Sequence, residues 1–306
     1  MQGTENAEHP WLEYCLLGLL ALFWGSSYLF IKVALVDLPP LTLIAIRVSG
    51  AAVLLTCVVI WRGYRFPTDP KAWRSLLVQS ALNAFVPWTI LAWGQQFVDA
   101  ALASVLNSTS PIFVLIFTAL VTRHEVLGAT KYLGVALGLG GVVFVVGIGA
   151  LGGLGDQVAG QLACLFAAAL YGCAAIYGKR FGHQSPSVTA AGTMICSSAV
   201  LVPAALWFDR PWELSVSLQA AGAAAMLSIF CTGFALLLYF RLVKTIGSLG
   251  VASQAYLRSG FGVLLGIILL GETLSLPVAV GLMATIAGVV LINLPSRKHP
   301  EAGATA

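Results

Sequence analysis

From residue 13 to residue 294 the chain is written as apolar runs, near 13–35, 39–61, 73–97, 100–121, 129–149, 158–179, 186–208, 217–240, 247–270 and 276–294. Nothing else in the sequence constrains the fold as much. About 20 apolar residues in a helix cross a hydrocarbon core of about 30 Å, and a helix satisfies its own backbone hydrogen bonds where no water can. The separators are short and carry Pro, Gly or charge: "DLPP", "RGYRFPTDPKAWR", "FVDAA", "LGGLGDQ", "FGHQSPS" and "FDRPWEL". Trp11, Trp61, Trp73, Trp207 and Trp212 fall at the predicted ends, where an indole favours the headgroup boundary. Hydrophobic residues make up 59% of the chain and charged ones 9%, too little polar surface to clothe a water-soluble globule. The expected fold is therefore an all-α integral membrane protein of ten transmembrane helices.

Charge placement gives an orientation. Of the 16 Lys and Arg residues, twelve share one side if the N-terminus is cytoplasmic: Arg62, Arg65, Lys71, Arg74, Arg123, Lys131, Lys179, Arg180, Arg241, Lys244, Arg297 and Lys298. Loops of the other side keep only Arg210. The positive-inside rule then expects both termini in the cytoplasm. A net charge of +4 is on this reading an orientation signature, and no nucleic-acid partner is expected. The opening residues, "MQGTENAEHPWLEY", carry neither a basic stretch nor a small-residue cleavage signature, so no removable signal peptide is expected. Cys15, Cys57, Cys164, Cys173, Cys196 and Cys231 lie within apolar runs at no metal-ligand spacing. They read as small packing residues, with no metal or cofactor implied.

The chain also repeats itself. "RHEVLGATKYLGVALGLGGVVFVV" at 123–146 returns as "LGETLSLPVAVGLMATIAGVVLIN" at 270–293, 147 positions later. The same offset pairs Trp24-Gly25 with Tyr171-Gly172, Lys32 with Lys179, Leu102 with Leu249, Asn107 with Gln254, Glu125 with Glu272, and Gly134 and Gly141 with Gly281 and Gly288. One five-helix unit is duplicated, as 13–149 and 158–294. Because five is odd, the second copy enters the membrane from the opposite side. Two inverted repeats related by an axis in the membrane plane are the build of many secondary transporters, with the substrate near midplane between the halves. The small residues four apart, such as Gly134 and Gly138, read as helix-packing surfaces.

The "WGSSYLFIK" start, "PPLTLIAIR", "LAWGQQFVDAALASVLNSTSPIFV", the glutamate after the fourth run and "LLGIILLGETLS" resemble the EamA branch of the drug/metabolite transporter superfamily, over roughly 13–294. The resemblance implies a multi-pass protein of the bacterial cytoplasmic membrane that moves small metabolites such as amino acids, often outward. It implies a central cavity walled by helices 1, 3, 4, 6, 8 and 9. The chain departs from the family in the ninth run, where "YLRSGFG" has Ser259 and Gly260 in place of a frequent proline.

A transport site needs polar groups at membrane depth. Proline blocks the bond to the carbonyl four residues before it, so Pro111 frees the carbonyl of Asn107 and Pro87 that of Asn83. Asn107 and Asn83 thus each offer an amide and a released carbonyl. Gln254 is the mate of Asn107, and Arg258, mate of Pro111, lies four residues on, which puts both on one helical face near the middle of the ninth run. Its charge has no acid in any span to neutralise it, so the missing anion is expected to be the substrate. Trp24 and Tyr171 are repeat mates, and Trp88 follows Pro87; these three are the candidate aromatic walls. Arg47 is a second mid-span cation, but on a helix outside the implied walls, and a structural role is expected. Glu125 and Glu272, at helix ends, suit solvated or capping roles.

No span holds Asp, Glu or His in its middle, so coupling to protons through a carboxylate or imidazole is not expected. The function read from the residues is alternating-access transport of a small anionic or zwitterionic, amino-acid-like metabolite by an exporter or facilitator, with membrane lipid as the surroundings. Two other classes remain open at this point. A membrane enzyme acting on lipid needs an acidic metal cluster, a His base or an activated nucleophile at the membrane face, and the loops offer isolated charges. A non-transporting scaffold leaves the inverted duplication unexplained.

Overall fold

The computed structural model describes residues 10–122, 129–151, 155–247, 251, 254–274 and 276–293. Within them every predicted run is helical: α1 (Pro10–Ala34), α2 (Pro40–Trp61), α3 (Pro70–Gly94), α4 (Ala100–Leu120), α5 (Ala129–Leu151), α6 (Gly155–Gly178), α7 (Pro186–Phe208), α8 (Leu218–Thr245), α9 (Gln254–Leu270) and α10 (Leu276–Asn293). Among the described residues no strand occurs. Seven of these segments are long and apolar enough to cross a membrane, and the apolar stretches of α5, α9 and α10 are shorter. Trp61 and Trp207 are 84% and 79% exposed, whereas Trp73 folds back to donate to the Pro67 carbonyl at 2.8 Å. Glu125 lies outside the described residues.

Successive helices run in opposite directions, so the bundle has a terminal face, where α1 begins and α8 ends, and an opposite face, where α1 ends and α4 begins. Helices α8, α1, α9, α4, α6 and α3 contact one another in that order as an arc. The gap between α3 and α8 is bridged by α2, backed by α7, while α5 and α10 pack on each other. That last pairing follows from glycine. A methyl built on Gly134 would lie 2.7 Å from the Gly288 carbonyl oxygen, and one on Gly141 would lie 2.6 Å from that of Gly281. Close backbone approach is what small residues permit where no hydrophobic effect drives helices together. The contacts are reciprocal: Gly134 meets the mate of Gly141, and Gly141 meets the mate of Gly134, the relation a two-fold axis between repeats requires.

Charged side chains at the opposite face act as caps. Glu272 Oε1 and Oε2 accept from the Ala100 and Ala101 amides at 2.7 and 2.9 Å, satisfying the first orphan N–H groups of α4 with negative charge at its N-terminus. Lys32 Nζ donates to the Gln95 and Val98 carbonyls at 2.7 and 2.8 Å, just past the end of α3. Asp209 Oδ2 accepts from the Thr42 amide and hydroxyl at the start of α2, and Asp37 accepts from the Ser217 amide.

Two helices contain a wide π turn, Ala81–Phe85 in α3 and Ile229–Phe234 in α8. The first precedes Pro87 and is how that helix accommodates a residue with no N–H to give. The second occupies nearly the same place in the other repeat although no proline is there. Helix α4 breaks instead, between Asn107 and Ser110.

Candidate functional site

The arc closes around a group of polar side chains far from either face. Tyr28 on α1 and Asn107 on α4 are 3% and 2% exposed, and the Asn107 amide nitrogen donates to Tyr28 Oη at 2.7 Å. Tyr171 on α6 lies within electrostatic range of Tyr28, Trp88, Arg47 and Arg258. Arg258 is held in place by its backbone: Gly25 of α1 packs so tightly that a methyl there would sit 2.7 Å from the Arg258 carbonyl oxygen. The guanidinium itself has no hydrogen bond or ion pair to any described residue, and its Nε is buried without a partner. Asn107 Oδ1 and Gln254 Oε1 are buried too, with no partner among the described residues. Gln79, Thr89, Gln95 and Gln161 also hold buried side-chain atoms without a described partner. What sets Asn107 and Arg258 apart is that the Ser108–Ser259 hydrogen bond brings their neighbours together, a place where a ligand or water can supply the partners.

The carbonyl that Pro111 releases is not free. Ser110 Oγ donates to the Asn107 oxygen at 2.6 Å, so the hydroxyl replaces the lost backbone donor and the exposed chemistry of Asn107 is its side-chain oxygen. Below it, Ser108 Oγ donates to the Ser104 carbonyl at 2.7 Å, while Ser108 and Ser259 share a hydroxyl hydrogen bond between α4 and α9. At the place of the family's frequent proline α9 runs on as a helix, with Ser259 Oγ also bonding back to the Ala255 carbonyl at 3.1 Å.

Arg47 reaches this centre, which the sequence does not reveal. Because α2 bridges α3 and α8, its side chain points between them: the guanidinium carbon stands 3.8 Å above the Trp88 ring, and Nε donates to Thr232 Oγ1 at 2.9 Å. Thr232 sits in the π turn of α8 and donates its own proton to the Leu227 carbonyl at 2.8 Å, leaving an oxygen lone pair for the arginine. Arg47 is 5% exposed. A mid-span cation was the available signal for it; Tyr28 and Thr232 carry none until helix faces are known.

The other predicted residues have the following surroundings. Trp24 packs beside Tyr239, ring centroids 5.5 Å apart, in an apolar cluster of α1 and α8 nearer the terminal face. Asn83 lies half-buried in the π turn of α3 with no hydrogen bond to a described side chain. Gln254 shares a face of α9 with Arg258, one turn away. A separate groove of about 410 Å³, lined by Pro40, Leu41, Thr89, Ile90, Trp93 and Asp209, opens at the opposite face and touches none of these residues.

The sequence matches the EamA-like transporter family twice, over residues 11–147 and 158–294. The chain belongs to this family. Its relatives include the uncharacterized inner membrane transporter YedA of Escherichia coli (strain K12), 27% identical over 92% of this chain and 90% of that one. The uncharacterized transporter YoaV of Bacillus subtilis (strain 168) is 24% identical over 90% and 95%. A WAT1-related chloroplastic protein, At3g02690 of Arabidopsis thaliana, is 25% identical over 95% of this chain and 72% of its own. A protein solved by crystallography superposes with a TM-score of 0.65 at 18% identity, over 95% of this chain and 100% of that one, which shows the shared fold. The EamA-like chain is thus a multi-pass membrane protein of a transporter family.

Proposed function

We propose that this EamA-like protein spans the cytoplasmic membrane ten times with both termini inside, and carries a small anionic or zwitterionic metabolite by alternating access. The observation that carries the reading is Arg258: a permanent cation one turn into α9, packed against Gly25 within α1, with no acid, carbonyl or hydroxyl of the described residues bonded to it. A carboxylate or phosphate of the substrate fits the planar fork. Asn107 Oδ1 and Gln254 Oε1 are acceptors, and an ammonium group on the same molecule supplies the donors they lack. An amino-acid-like zwitterion satisfies both halves of the site. Arg47 is already stacked on Trp88 and bonded to Thr232, and serves as a rigid wall rather than the primary anchor.

The test is Arg258→Gln in the full chain, reconstituted in liposomes and screened for flux of labelled amino acids and small carboxylates. Transport found in the wild type falls at least about a hundredfold in Arg258→Gln, with Arg258→Lys between, while both variants elute as the wild type does on size exclusion. Normal flux in Arg258→Gln sinks the substrate-anion role.

A further inference from the structure

The helices that carry the central polar group also cross one another at the two faces, and the repeat puts the same three positions at both crossings. At the opposite face α6 meets α3 through Gly160, Gly94 and Val98: a methyl on Gly160 would lie 2.8 Å from the Gly94 carbonyl oxygen and 3.0 Å from Val98 Cγ1. Shifted by the repeat offset, these positions are Glu13, Arg241 and Thr245. They meet as well. At the terminal face Glu13 of α1 accepts from Arg241 Nη2 at 3.2 Å and from Thr245 Oγ1 at 2.8 Å, both on α8.

We infer that Glu13, Arg241 and Thr245 form the latch of the terminal-face gate, the counterpart of the glycine crossing that seals the opposite face. The inference rests on the transport reading, since a gate matters only where a solute must pass. Helices α1 and α8 bring Tyr28 and Thr232 to the centre, and α3 and α6 bring Trp88 and Tyr171, so parting either pair at its crossing opens a way from the centre to one face. The two seals differ in chemistry. Gly160 on Gly94 is backbone against backbone and offers no group for water to replace. The other crossing is polar: the Glu13 side chain is 7% exposed and that of Arg241 54%, so one partner already faces solvent and hydration can replace the bond as the helices part. The opposite face carries in addition the Lys32 tie to the Gln95 and Val98 carbonyls. Lys179, the mate of Lys32, is exposed and makes no equivalent bond among the described residues. Among the described residues, Glu13, Arg241 and Thr245 are the polar tie that joins α1 to α8 at the terminal face.

Ala235 reads the gate without any substrate. It is fully buried on α8 in the cluster that also holds Leu17 and Leu20 of α1, directly inside the latch. In an otherwise cysteine-less full chain, Ala235→Cys is labelled with a water-soluble maleimide in detergent. Glu13→Gln and Arg241→Gln should each raise the labelling rate about tenfold, and the exchanged pair Glu13→Arg with Arg241→Glu should bring it back toward that of the parent. Thr245→Val removes one bond only and should give a smaller rise; it keeps the experiment decisive if a charge variant fails to fold. Folded single variants labelled no faster than the parent, or an exchanged pair that stays fast, would overturn the latch. Because no solute is added, either outcome stands apart from the Arg258 test.

Discussion

Replacing Gly288 by alanine puts a methyl group where α5 and α10 touch. It would lie 2.4 Å from the Gly138 amide nitrogen, 2.5 Å from the Gly134 carbonyl oxygen and 2.6 Å from Gly138 Cα. All three are backbone atoms, so no side chain can rotate away. Ordinary contact lies near 3.5 Å, and the two axes must part by about 1 Å. Overpacking of this kind costs about 1–3 kcal/mol, against which alanine's better helix propensity returns up to about 1 kcal/mol. Gly140 is on α5 with nothing within 4 Å of its would-be methyl, so Gly140→Ala carries the propensity change alone. Gly288→Ala should therefore be less stable than Gly140→Ala by about 1–3 kcal/mol. SDS titration of each purified chain, followed by far-UV circular dichroism, measures the difference. Gly141→Ala, facing the Gly281 oxygen at 2.6 Å, should behave like Gly288→Ala. If the Gly288 and Gly140 variants unfold at the same SDS fraction, the glycine crossing is not what holds the repeat ends together.

Glu272→Gln replaces a carboxylate that accepts from two amides with a group offering one oxygen, so one of the Ala100 and Ala101 N–H groups loses its partner and α4 loses the favourable charge at its start. The expected loss is about 1–3 kcal/mol, read by the same titration. Topology is checked by impermeant thiol labelling in intact cells. In a cysteine-less chain, Asp156→Cys should react from outside and Thr68→Cys should not; the reverse pattern would invert the orientation.

The fold is legible in the sequence to the extent that lipid restricts the choices. Apolar runs of spanning length have one way to satisfy their backbone, and every run predicted is a helix within the described residues. Duplication carries the argument further, because the offset names Gly134, Gly141, Gly281 and Gly288 as mates before any contact is seen. The π turn in α8 is a different case: its mate in α3 is announced by Pro87, but Phe234 stands at the equivalent place and signals nothing locally. Side-chain hydroxyls account for most of what stays hidden. Ser110 takes up the carbonyl that proline releases, and Ser108 and Thr232 bond within their own helices before they reach across to another. A serine in an apolar run can do either, and sequence spacing does not say which. Arg47 is misplaced for a further reason: the implied ring of six helices leaves a gap between α3 and α8, and α2 fills it.

The duplication also explains why the centre is chemically lopsided. Two identical halves would place identical groups on either side of the axis, and an asymmetric solute would then meet the same partner twice. Here the mates have diverged where they face each other. Position 111 is a proline that breaks α4, and its mate is the cation Arg258 on an unbroken α9. Tyr171 joins the polar group, while its mate Trp24 packs on Tyr239 nearer the terminal face. Asn107 donates to Tyr28 while its own side-chain oxygen, like that of its mate Gln254, has no partner among the described residues. The glycines at the α5–α10 crossing, by contrast, have been kept in both copies. Residues that set how closely helices approach answer to the shared geometry of the two halves, whereas on the transport reading proposed above residues at the centre answer to one molecule with unlike ends. On that reading the specificity of the protein lies at the mates that differ and its architecture at the mates that agree.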